Sequence, residues 1–300
     1  MKADEGTHFE WEGHRTWYRV VGELTPGGPP PAILCHGGPG ATHDYLEPMA
    51  ALATGGRACV LYDQLGNGRS DHLRDAPAEL WTTELFDREL SALVRALGVQ
   101  DGYHVVGQSW GGMLAMIHAL GHPEGLRSIV VCNSPASIPL WVEEANRLRL
   151  DLPPDVQEAL TRHERDGTTD APEYETAVEV FYRRHLCRLP DWPDCLLRTD
   201  AAMRGDPTVY HTMNGPSEFH CIGTIREWDI TDRLHEIDAP TLLVSGGYDE
   251  ATPHIVRQIH KRIPGARWEL FENASHSTHL EEPERFIELV GSFLAAIDQR

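Results

Sequence analysis

Short apolar runs recur along the chain, separated by longer stretches with helical periodicity. Residues 32–35, 58–62, 103–106, 128–132 and 241–245 are such runs, and residues 267–271 add one more predicted strand of mixed polarity. The runs lack polar alternation, which predicts strands buried on both faces. Residues 84–97 place apolar side chains on one helical face, and residues 113–120 form an apolar helix of strong helix formers. Residues 9–21 instead alternate around Gly13, which predicts a hairpin. Strands interleaved with helices predict an α/β fold, a mostly parallel, doubly wound sheet covered on both faces.

The alternation stops from about Ser134 to Leu234 and resumes at Thr241. The middle stretch carries no strand pattern and is punctuated by prolines, among them Pro153, Pro154, Pro172, Pro190, Pro193, Pro207 and Pro216. It is read as helical. The expected organisation is a core of residues 1–133 and 235–300, with residues 134–234 inserted as a helical cap. Such a cap would lie over the C-terminal edge of the sheet, where ligands bind in open α/β folds.

Composition narrows the function classes. The chain has 300 residues, enough for a substantial core with a cap. No apolar run approaches the ~18 residues of a membrane span. The acidic start at residues 1–5 has no apolar signal region. The formal charge of −20 argues against nucleic acid and anionic membranes as partners. The six cysteines (35, 59, 132, 187, 195 and 221) lack metal-ligand spacing and are expected as reduced thiols in a cytoplasmic protein. Cys35, Cys59 and Cys132 fall in or beside predicted strands and should be buried. The 17 histidines contain no H-E-x-x-H pair, so neither a metal nor another cofactor is expected. The loop after residue 62 has neither a full dinucleotide fingerprint nor the Gly-Lys of a P-loop.

Gly107-Gln108-Ser109-Trp110-Gly111 lies between a predicted strand and a predicted helix. It matches G-x-S-x-G, the nucleophile elbow. A serine hydroxyl needs an exposed position, a base and oxyanion donors before it can attack a carbonyl. The sharp turn gives exposure, and glycines at 107 and 111 let it form. His36-Gly37-Gly38-Pro39-Gly40 follows another strand and offers backbone N–H groups. The expected oxyanion donors are Gly38 and Trp110, with Gly37 as the rival to Gly38.

An acid should follow a later strand, and Asp249 does so, with Asp238 and Glu250 as weaker rivals. A base should follow the last strand. His276 comes sooner after residue 271 than its competitor His279. The order Ser109, Asp249, His276 is that of the α/β-hydrolases, not that of chymotrypsin or subtilisin.

Together these residues resemble the proline iminopeptidase family of α/β-hydrolases. The matches are 36–40, Tyr62-Asp63-Gln64 with Gly66, Gly68 and Ser70, the elbow, Asp249-Glu250 with Pro253, and 213–219 in the middle stretch. Segments 62–70, 144–149 and 206–211 are most similar to L-prolinamide and L-amino-acid amide hydrolases. The resemblance runs from about Thr16 onward. It implies a serine hydrolase, an aminopeptidase or amidase, that removes an N-terminal amino acid from a peptide, from ammonia or from a natural-product amine. It also implies that Glu218 and Glu250 hold the free α-amine of a small-molecule or short-peptide substrate. An α-ammonium offers three donors and a charge, which two carboxylates suit. Cap aromatics Trp141, Tyr182, Trp192, Tyr210, Phe219 and Trp228 are candidates for shaping the pocket. An esterase on the same scaffold, without amine recognition, is the competing reading. An epoxide hydrolase would want an aspartate in place of Ser109.

Overall fold

The computed structural model describes residues 6–299. The acidic start at residues 1–5 lies outside them. The eight-stranded sheet runs β1 (Thr7–Trp11), β2 (His14–Val21), β4 (Cys59–Asp63), β3 (Ala32–Cys35), β5 (Tyr103–Gln108), β6 (Leu126–Cys132), β7 (Thr241–Gly246) and β8 (Arg267–Phe271) in spatial order. β1 and β2 form the expected hairpin, turning at Glu12-Gly13, both with positive φ. β2 also joins β4 antiparallel, and all later pairs are parallel. The central strands β3 to β7 are apolar because both of their faces are covered, which is why they read as runs rather than as alternation.

One apolar cluster joins the sheet to α1 (Thr83–Ala96) and α2 (Trp110–Leu120). The other face is covered by a short 3₁₀ segment, His43–Leu52, and later by the C-terminal helix. Cys35, Cys59 and Cys132 are fully buried in their strands, and all six cysteines are unpaired thiols.

Between β6 and β7 lie α3 (Ile138–Arg149), α4 (Pro154–Asp166), α5 (Pro172–His185), α6 (Asp194–Gly205) and α7 (Thr208–Met213). Proline sits in the first turn of α3, α4 and α5, where its missing N–H costs nothing. The middle stretch is not helical throughout, however. Residues 214–230 are turns and irregular chain. Gly215 adopts φ +135°, and a Cβ there would sit 2.6 Å from the carbonyl of His220. Only glycine tolerates that turn, which folds the 213–219 motif into a loop.

Two of these helices dock on the sheet's loops. Thr199 of α6 bonds Thr42 at 3.0 Å and accepts from the Tyr45 backbone N–H at 3.2 Å, while Arg198 pairs with Asp44 and Glu47. Asp206, just before α7, receives His72 at 2.5 Å and Arg74 at 2.9 Å, and a Cβ at Gly66 would lie 2.5 Å from the Val209 side chain, so segments 62–70 and 206–211 lie together. α8 (Pro253–His260), α9 (Thr278–Glu281) and α10 (Pro283–Asp298) complete the chain. Among the described residues, no helix is long and apolar enough to cross a membrane.

One of the tightest approaches in the core is at Gly111, where an added Cβ would lie 2.0 Å from the carbonyl oxygen of Cys35. Backbone on both sides leaves nothing to yield. Overpacking costs about 1–3 kcal/mol even when side chains can move. Gly111→Ala is expected to lower the calorimetric Tm by several degrees, at roughly 2–4 °C per kcal/mol.

Candidate active site

β5 ends at Gln108 and α2 begins at Trp110, so Ser109 alone makes the turn. Its φ of 56° and ψ of −123° are a strained conformation for a side-chain-bearing residue. The strain is held by close packing. A Cβ at Gly107 would lie 1.9 Å from the carbonyl oxygen of Gly111, and Ser109 N–H donates to Cys132 C=O at 2.9 Å. Ser109 therefore stands at the N-terminus of α2. It lines a pocket with Gly38, Trp110, Met113, Pro135, Ile138, Trp141, Asn214, Glu218 and Ile225.

Asp249 and His276 meet in the buried loops after β7 and β8. His276 Nδ1 lies 2.8 Å from Asp249 Oδ1. Asp249 also accepts from Asn133 Nδ2 at 2.6 Å, Ala251 N–H at 2.8 Å and Gly246 N–H at 3.3 Å. Those donors stabilise a buried carboxylate as an anion. His276 Nε2 faces Glu250, whose Oε1 is 3.7 Å away. The Trp141 ring meets the imidazole edge-on at 5.7 Å, which ties His276 to the Ser109 pocket. Burial alone would lower His276, but the charges of Asp249, Glu250 and Glu218 raise it to about 9.

The rivals separate on geometry. His279 donates from Nε2 to Tyr45 C=O at 3.1 Å, and burial lowers it to about 3. Asp238 is surface-exposed and pairs with His122 at 3.3 Å. The Gly37 N–H is spent on the Tyr45 hydroxyl at 2.7 Å, whereas Gly38 lines the pocket beside Ser109.

Glu218 and Glu250 converge on the same region. The Tyr210 hydroxyl donates to Glu218 Oε1 at 2.7 Å, and Trp141 Nε1 donates to Glu218 C=O at 2.7 Å. Tyr182 is hydrogen-bonded to Tyr210. Glu250 is fully buried, and neither carboxylate oxygen has a hydrogen-bond partner. Burial raises both glutamates above the usual carboxylate range, Glu250 the further. Of the six candidate aromatics, Trp141 lines the pocket, and Tyr182 and Tyr210 surround Glu218. Phe219 instead packs on Phe181 at 4.8 Å, Trp192 stacks under Arg183, and Trp228 packs against the main core.

The chain is similar to known proteins in sequence and fold. A family model described as alpha/beta hydrolase fold matches residues 30–283. The crystal structure of VinJ is 49% identical, with a TM-score of 0.95 over 98% of this chain and 99% of that one. The proline iminopeptidase of Mycobacterium smegmatis is 46% identical, with a TM-score of 0.91 over the same shares. The proline iminopeptidase of Lactobacillus helveticus is 37% identical over 302 residues, 100% of both chains. The chain belongs to the proline iminopeptidase family of α/β-hydrolases. It is thus a hydrolase of the aminopeptidase type.

Several bonds in this family member's site carry no local sequence signal. Tyr45 accepts from Gly37 N–H and donates to Gln108 Oε1 at 2.5 Å. Gln108 Nε2 then donates to His276 C=O at 3.0 Å. Gln64 donates to His36 C=O at 2.9 Å and accepts from Trp110 Nε1 at 2.8 Å. Asn133 reaches Asp249 and the Ser275 carbonyl while accepting from Thr278. Gln64 and Gln108 lie in matched motifs that do not reveal these bonds, Asn133 directly follows a predicted strand, and Tyr45 has no signal.

Tyr45→Phe removes one hydroxyl and leaves two buried groups, Gly37 N–H and Gln108 Oε1, without it. An unpartnered buried group costs about 1–3 kcal/mol. Urea unfolding of Tyr45→Phe is expected to show a loss of at least that size, and an unchanged midpoint would contradict this bracing role.

Proposed function

We propose that this chain is a serine aminopeptidase or amino-acid amide hydrolase that requires a free α-amine and acts through an acyl-enzyme. Glu250 carries the reading: a fully buried carboxylate without a donor, beside the imidazole, is a site that wants a cation. Glu218, braced by Tyr210, supplies the second carboxylate. Charge-assisted hydrogen bonds from an α-ammonium to both would place the neighbouring carbonyl at Ser109. The family relatives named as proline iminopeptidases support a peptide or peptide-like amide as substrate. The leaving side can be a peptide, ammonia or a natural-product amine. Residues 134–234 act as the cap that keeps water from the charges. The six unpaired thiols support action in the cytoplasm.

The reaction in this reading is an acyl transfer through Ser109. His276 Nε2 takes the proton of Ser109 Oγ as Oγ bonds to the carbonyl carbon. The oxyanion forms against the N–H groups of Gly38 and Trp110. His276 returns the proton to the departing nitrogen as the C–N bond breaks. Water then attacks the acyl-enzyme by the same route and releases the amino acid. Asp249 holds the Nδ1 tautomer and supports the imidazolium.

Ser109→Ala should lose nearly all turnover while still binding substrate, and His276→Ala should be far more damaging than His279→Ala. A wild-type kcat in Ser109→Ala, or the reverse histidine ranking, would refute the triad.

Glu218→Gln and Glu250→Gln keep shape and remove charge. At about 1.5–3 kcal/mol per charge-assisted bond, each should lower kcat/KM on aminoacyl substrates by roughly ten- to hundredfold. N-acetylated substrates should be poor for the wild type. The measurement is the ratio of aminoacyl to plain acyl ester hydrolysis. A ratio constant across wild type and both variants would make the enzyme an esterase without amine recognition.

A further inference from the structure

The two carboxylates at His276 are built differently. Asp249 Oδ1 sits 2.8 Å from Nδ1, and its charge is met by donors from Asn133, Gly246 and Ala251. Glu250 Oε1 sits 3.7 Å from Nε2, the nitrogen that must receive the serine proton, and no donor meets either oxygen. The other ionisable groups facing this point are Glu218 from the inserted segment, with Tyr210 and Tyr182 around it, His279 behind His276, and His185 of α5, whose carbonyl accepts the His276 N–H and whose ring is held by burial below the usual imidazole range. None of them supplies a positive charge, since burial keeps His279 and His185 neutral and both phenols protonated.

We propose that Glu250 holds the proton of His276 in the empty site, and that the substrate's own ammonium frees the base by taking Glu250 over. The proposal rests on the amine-anchor reading above. A buried carboxylate without donors is costly, and the imidazolium is the one cation within reach. In that state Nε2 carries a proton and cannot accept one from Ser109. An arriving α-ammonium brings a positive charge to Glu250 and Glu218. It repels the imidazolium proton, which leaves to solvent, so one positive charge enters as one departs. His276 is then neutral and accepts the Ser109 proton. The amine stays attached through the acyl-enzyme, so the base remains free for deacylation. When the amino acid leaves, a proton returns. Selection for a free amine therefore acts on kcat as well as on binding.

The geometry is supported by the direction of the His276 shift, up to about 9, with Asp249 and Glu250 as the leading causes opposing burial. Removing the Glu250 charge lowers that value. Lowering it raises the fraction of free imidazole at neutral pH, by about tenfold per pKa unit below the inflection.

The test uses a fluorophosphonate, which needs the base but carries no amine. The rate of inactivation of the wild type, without substrate, should rise with pH to an inflection near 9. Glu250→Gln should move the inflection down by about one unit and react about tenfold faster at pH 7, while being slower on aminoacyl substrates. Ethylammonium chloride added to the wild type, against matched sodium chloride, should lower the inflection in the same direction. This arm needs no variant, and steric hindrance by the amine would alter the plateau and not the inflection. An inflection unmoved in both arms overturns the proposal. If Glu250→Gln loses its aminoacyl preference yet keeps the wild-type inflection, the amine anchor stands and the proton-holding role falls. If the preference survives, the anchor itself fails.

Discussion

The site depends on one close approach of backbone to backbone. α2 lies so near β3 that any side chain at Gly111 would strike the Cys35 carbonyl, and any at Gly107 would strike Gly111 itself. This contact forces the chain from strand to helix within a single residue. Ser109 absorbs the turn in a positive-φ conformation that the surrounding packing must hold. The same approach brings the start of α2 beside the 36–40 loop, so the serine and both groups of backbone donors share one pocket. The glycines are thus a condition of the chemistry and not merely of the turn.

Around that contact, side chains lock loops that are far apart in sequence. Tyr45 and Gln108 join the 36–40 loop, the elbow and the His276 loop in one hydrogen-bonded chain. Gln64 ties the loop after β4 to His36 and to Trp110, and Glu89 accepts the Leu65 N–H beneath it. The inserted helices reach the same network. Thr199 of α6 accepts from the Tyr45 backbone, Glu144 of α3 receives Thr252 beside the acid loop, and the backbone of Tyr210 lies against Gly40. Segments that matched the family separately, 62–70 with 206–211 and 144–149 with 249–253, are therefore contact partners.

What the sequence made legible follows from the range of each cause. Strands β3 to β7 could be read because burial on both faces leaves a local apolar run. The elbow could be read because its sterics span five adjacent residues, 107–111. His276 was separable from His279 only by its distance from a strand, and the structure adds the reason: His279 points to the Tyr45 carbonyl. Tyr45 lies beyond any local pattern, because its partner Gln108 is 63 residues away in sequence, and the motif holding Gln64 does not reveal its partner Trp110, 46 residues away. The middle stretch was over-read as helix. Its prolines mark helix starts, but Gly215 bends residues 214–230 into loops that composition does not distinguish from helical insert. The aromatics were ambiguous for the same reason, since Phe219 packs on Phe181 while Trp141, on α3, faces the imidazole.

The charges show how such a network can be both stable and reactive. Asp249 is met by three donors besides the imidazole, all supplied by the fold. Glu250, its neighbour in sequence, is equally buried and is given none. Packing could have supplied a donor, because Asn133 and the Ala251 N–H are within the same loop cluster, yet both turn to Asp249. A carboxylate left this way costs stability. Under the proposed mechanism that cost is met by a cation, the imidazolium when the site is empty or an ammonium when it is filled. On that proposal, two adjacent acids, one given donors by the fold and one left to the ligand, divide orientation of the base from recognition of the substrate.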